Sequence, residues 1–125
     1  IVDGAFAGKP EQVETEFAKA MVAGTYPGMI ISAAQRHAAW LHKTSLAVAE
    51  GTPASTLLDS GFPRLHFSRK PSAEVALRNF SPARLVGIIE QLAAAALESR
   101  KQSALAAAIA QRTLMSIAVN ARRRG

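Results

Sequence analysis

The histidines, carboxylates and glycine turns are the residues from which a catalytic or metal site would be built, and their spacing does not build one. His37 and His42 stand five apart. On a helix they diverge by about 140°, whereas helical metal pairs use a spacing of four. "DGAFAGKP", residues 3–10, resembles a phosphate loop, but Gly4 and Gly8 are one residue too close and Pro10 replaces the Ser or Thr that would hold magnesium. Ser, His and Asp all occur, yet no Gly-x-Ser-x-Gly turn presents a nucleophile, and the acidic residue nearest to His66 in sequence is Asp59. Glu11, Glu14 and Glu16 open a helical pattern, where carboxylates favour the positive dipole end rather than acid–base work. No catalytic, cofactor or metal site is expected, and neither is a small-molecule substrate.

What remains is binding chemistry. "GFPRLHFSRKP", residues 61–71, places Phe62, Leu65, His66 and Phe67 among Arg64, Arg69 and Lys70, with Pro63 and Pro71. Such a stretch can stack bases and neutralise phosphates, with Arg64, Arg69 and Lys70 as the contacts. It reads first as a connector whose aromatic residues cover core ends. The net charge is +6, unevenly placed: residues 1–63 carry four basic and six acidic groups, and the remainder eleven basic and three acidic, ending in Arg122, Arg123 and Arg124. These three are further candidate phosphate contacts. A field of that sign attracts polyanions without specifying them.

The elements that position these residues are helices. Pro10, Pro27, Pro53, Pro71 and Pro82 each precede an apolar pattern of helical period, and proline suits the first helical position. Thr52 and Ser81 supply N-cap oxygens, while Gly24, Gly51 and Gly61 stand where left-handed C-caps are wanted. Twenty-six alanines favour helix, and no segment alternates like a strand. The expectation is an all-α bundle of five or six helices, near 10–23, 27–50, 53–60, 71–80, 82–100 and 104–121, preceded by the tail of a further helix.

A chain of 125 residues suits a single domain with one core. The start at Ile1, without Met or leader, reads as a piece of a longer polypeptide. There is no cysteine, which favours the cytoplasm. The wholly apolar runs fall short of the roughly 20 residues that cross a bilayer, so no membrane is expected.

The order of features resembles the C-terminal domain of the delta subunit of the bacterial DNA polymerase III clamp loader. "IVDGAFAGKPEQVE" is similar to its first helix, small turn and second helix. "GTYPGMIISAAQRHAAWLHKTSLAVAEG" is similar to a long central helix that follows a Gly-x-x-Pro turn and ends at glycine. "FPRLHFSRKPSAEVALRNFSPARLVGIIEQLAAAALESRKQ" is similar to a loop ending in basic residues, a short helix ending before Ser, and a long helix closing with Lys. Arg69, Lys70, Phe80, Ser81 and Lys101 hold those places. The resemblance implies a non-catalytic helical collar, joined to other clamp-loader subunits in the assembly that loads the sliding clamp for DNA replication. DNA would be met weakly or indirectly. A basic helical DNA-binding module is the alternative.

Two further features point to partners. Trp40 lies mid-helix among Ala38, Ala39 and Leu41 and reads as a core or interface anchor. In "ALAAAIAQRTLMSIAVNARRR", Ala110, Leu114, Ile117 and Ala121 cluster on one side, with Ile109, Met115, Val119 and Leu105 assigned to a broadly opposite sector. A helix apolar on two sides needs two partners. Leu114 and Ile117 are expected inward, and Ile109, Met115 and Val119 toward a neighbour.

Overall fold

The computed structural model describes residues 1–54, 56 and 67–122. Its described residues form six α-helices and two 3-10 turns, with no strand: the all-α bundle that alanine content and proline punctuation require. In chain order these are α1 (Val2–Phe6), α2 (Pro10–Val22), α3 (Pro27–Ala49), α4 (Lys70–Asn79), α5 (Pro82–Lys101) and α6 (Ala106–Ala121), with 3-10 turns at Phe67–Arg69 and Ser103–Leu105. The expected helix over 53–60 falls mostly outside the described residues.

Prolines and glycines set these limits. Pro10, Pro27 and Pro82 are the first residues of α2, α3 and α5, and Pro71 is the second residue of α4. Ser81 caps α5 by accepting a hydrogen bond from the Arg84 backbone N–H at 3.2 Å. Three helices end in the same motif. After α2, the Thr25 N–H donates to the Ala20 carbonyl and the Gly24 N–H to that of Met21, with Gly24 at φ +81°. The same pair of bonds recurs at Gly8 and Gly51. This closure needs a left-handed residue, which glycine supplies without a Cβ clash.

The core is one cluster. Among its large members, Phe6, Val13, Phe17, Ile31, Leu41, Phe80, Leu85, Leu92, Leu114 and Ile117 are the most deeply buried, all at most 3% exposed. Small residues fill the gaps: Ala34, Ala38, Ala110 and Ala118 are fully buried, and Ala73 and Ala76 nearly so. They let helix axes approach while excluding water. The long helices α3 and α5 pack against each other, and α6 packs on α1, α2, α3 and α5. α4 and α5 meet at a bend of 104°.

Ser103–Ala121 is long and apolar enough to cross a membrane, with a mean hydropathy of 1.2. In the bundle, Ile109, Ala110, Thr113, Leu114, Ile117, Ala118 and Ala121 turn inward from it. That is the pattern of a central bundle helix. Thr113, the polar member, donates its hydroxyl to the Ile109 carbonyl at 2.7 Å.

Gly8 and Gly24 share their backbone but not their surroundings. A Cβ at Gly8 would stand 3.3 Å from both Ala121 Cβ and Arg122 Cγ, whereas one at Gly24 would meet nothing within 4 Å. Gly24→Ala is expected to cost about 1 kcal/mol through its positive φ alone, and Gly8→Ala about 2 kcal/mol or more through added crowding. Urea unfolding of the two variants measures the difference; equal losses would show that α6 yields freely.

Candidate functional site

Asp3, on the short helix α1, is met by two groups from distant parts of the chain. Arg69, closing the 3-10 turn before α4, donates from Nε to Oδ2 at 2.8 Å and from Nη2 to Oδ1 at 2.9 Å. This two-pronged geometry matches a planar guanidinium to a planar carboxylate. His37, inside α3, brings Nε2 to 3.5 Å from Asp3 Oδ1. Burial pushes the His37 imidazole down to about 4, the Asp3 carboxylate opposing and the Arg69 charge assisting. At neutral pH the imidazole is therefore uncharged, and its contact with Asp3 is a long dipolar one rather than an ion pair. Burial alone would raise Asp3, but the Arg69 hydrogen bonds and charge outweigh it and hold the carboxyl below its ordinary value.

Aromatic rings continue from this point. Phe6 meets His37 edge-on at 5.4 Å between centroids and Phe80 edge-on at 5.9 Å. Trp40, one turn after His37, stacks on the imidazole at 5.8 Å and 13°. Phe80, Phe6, His37 and Trp40 thus form a row joining the α4–α5 corner, α1 and α3. At the Phe80 end, the Arg84 guanidinium lies 4.9 Å from the ring centroid. It also donates to the carbonyls of Asn79 at 2.7 Å and Asn120 at 2.6 Å, at the last turns of α4 and α6. The Asn79 side chain in turn donates to the Phe6 carbonyl at 3.3 Å.

This arrangement holds segments together. Asp3 is engaged, His37 is buried and neutral, and among the described residues no three His, Asp or Glu side chains converge to hold a metal.

The residues marked from sequence separate into three groups. Arg69, marked as a phosphate contact, spends its charge on Asp3: tertiary pairing outcompetes solvent for a guanidinium beside a half-buried carboxylate. Lys70 opens α4 next to it, and Arg122 is exposed just after α6. Arg64, Arg123, Arg124 and most of the stretch 61–71 lie outside the described residues.

The interface candidates also divide. Leu114 and Ile117 are fully buried, on the expected side of α6. Ile109 is 5% exposed and belongs to this chain's own core. The assignment of Ile109 to the outer sector is thereby corrected: it lies about 40° from Thr113 and 80° from Ile117 on the helix wheel, so the inward arc covers half the helix. Met115 is half-buried against the core, while Val119 and Leu105 are 42% and 50% exposed. Trp40 is half-buried against the core. Beside the outer face of α6 runs a groove against α5 of about 360 Å³, lined by Gln91, Ala94, Glu98, Arg112, Thr113 and Ser116.

The Asp3–Arg69 pair, the buried His37 and the Arg84 anchor escaped sequence reading because their partners are 66, 34 and 36 residues away. One signal was available: Asp3 is the only acidic residue before Glu11 and sits in an apolar helix. No family model, curated protein or solved structure matches the chain.

His37 gives a pH prediction. Its folded-state value is depressed, so the unfolded chain binds the extra proton first as pH falls. The stability that depends on neutral His37 is full above about pH 6.5 and is lost on descending toward pH 4. The loss is on the order of 3 kcal/mol. Asp3, also depressed, loses its contribution only below its ordinary value of 3.8. In urea titrations at pH 7, 5.5 and 4.2, His37→Phe should flatten the decline; an unchanged slope would place the titration elsewhere.

Proposed function

We propose that the chain is a non-catalytic assembly domain, a helical collar of the type at the C-terminus of the clamp-loader delta subunit. It packs against other subunits of the complex that places the sliding clamp on DNA in the bacterial cytoplasm. The order of sequence features supports this reading. The Gly-x-x-Pro turn leads into α3, Arg69 precedes α4 and Lys70 opens it, Phe80 and Ser81 separate α4 from α5, and Lys101 closes α5.

The observation that carries the reading is α6. One half of it is buried in the chain's own core, while Leu105, Ala108, Met115 and Val119 form an outer stripe interrupted by a single charge, Arg112. Depletion of charge at the centre of a patch distinguishes interface cores from ordinary surface. Each large side chain covered there would contribute roughly 1.5 to 3 kcal/mol. The α5–α6 groove widens the same surface.

Co-purification of this chain with the other clamp-loader subunits tests the proposal. Val119→Glu and Leu105→Glu should leave the melting temperature nearly unchanged, because both sites are wet in the free domain, and should abolish capture by burying an unpaired charge. Leu114→Glu should unfold the domain itself. Unimpaired capture of both outer-face variants would remove α6 from the interface. Salt-resistant duplex binding without any capture would favour the DNA-binding module instead.

A further inference from the structure

The outward face of α3 carries a different chemistry from that of α6. Pro27–Ala49 contains two charged residues, Arg36 and Lys43, and no acidic one. They are seven residues apart and so share one face, with Trp40 between them. Both are exposed, and neither side chain makes an ion pair or hydrogen bond among the described residues. Burial, pairing and capping account for the cations at Arg69 and Arg84; none of these accounts for Arg36 and Lys43.

Trp40 is held between them. Its ring stacks on the buried His37, which is fixed by Phe6 and faces the Asp3–Arg69 pair. His37 is 7% exposed and Trp40 half-buried, so the indole lies on the solvent side of the imidazole. A large aromatic in a fixed orientation, flanked by two uncommitted cations, is the composition of a stacking platform for bases.

From these placements we infer that Arg36, Trp40 and Lys43 form a contact site for single-stranded nucleic acid. The cations take backbone phosphates and the indole takes a base. Along the helix axis Arg36 and Lys43 are about 10 Å apart, close to the span of three stacked nucleotides at about 3.4 Å each. An acidic peptide would satisfy the two cations but would leave the fixed ring without a planar partner. Glu50, the acidic residue of this face, lies a further seven residues on and leaves the local field positive. The inference concerns α3 alone and stands whether or not α6 meets a neighbouring subunit.

Trp40 is the one tryptophan of the chain, so its emission reports on the site directly. The full chain is titrated with a 15-nucleotide oligo-dT, and separately with a 15-residue poly-Glu peptide, at 50 and 200 mM salt. Expected is quenching of Trp40 by the oligonucleotide, weakening with salt. In Arg36→Ala/Lys43→Ala the affinity should fall about tenfold and the slope of log K against log salt should shrink by about 1.4, two lost single-strand phosphate contacts. Both residues are exposed, and an unchanged circular dichroism spectrum confirms that the double variant is folded. Quenching by the peptide but not by the oligonucleotide would overturn the assignment in favour of a protein partner. Oligonucleotide binding that neither quenches Trp40 nor responds to the double variant would place the contact elsewhere and equally overturn it.

Discussion

A half-buried carboxylate on a five-residue helix fixes the geometry of this bundle. A helix as short as α1 has no independent stability, since nucleation costs more than one turn returns. Phe6 anchors α1 in the core, and Asp3 ties it to the turn before α4 through Arg69 while facing His37 of α3. Without a guanidinium, the Asp3 carboxylate would face partial desolvation unaided; with it, the charge is matched by two aligned donors. His37 can then remain neutral in an apolar setting, and the ring row from Phe80 to Trp40 assembles around it.

Alanine makes that arrangement affordable in space rather than in contacts. Ala34 and Ala38 of α3, Ala73 and Ala76 of α4 and Ala110 and Ala118 of α6 are buried, and side chains this small let helices approach closely. The large side chains are concentrated in a few places, and buried hydroxyls return to their own helices. Thr44 donates to the Trp40 carbonyl and Ser99 to that of Ala96. Among the described residues, no buried side-chain nitrogen or oxygen is left without a partner.

Local chemistry was legible in the sequence wherever one residue decides it. Pro10, Pro27 and Pro82 begin helices because a missing N–H costs nothing there, and Gly24 and Gly51 end them because a left-handed residue is needed. The inward side of α6 followed from its period through Leu114 and Ile117. Ile109 did not, because seven buried residues spread over half of the helix circumference, and a single narrow stripe is the wrong description of a helix packed on four others. Arg69 shows the larger limit. Its partner Asp3 lies 66 residues earlier, and no local pattern encodes a pairing that only the fold creates.

The corner between α4 and α5 has a consequence for how the domain breathes. Arg84 lends its two guanidinium prongs to the closing turns of α4 and α6, while Asn79 beside it secures the end of α1. Three helix termini that would ordinarily fray one by one are thereby knotted to the first turn of a fourth. The last carbonyls of α4 and α6 share one donor side chain, so whatever displaces Arg84 from the first turn of α5 releases both ends together.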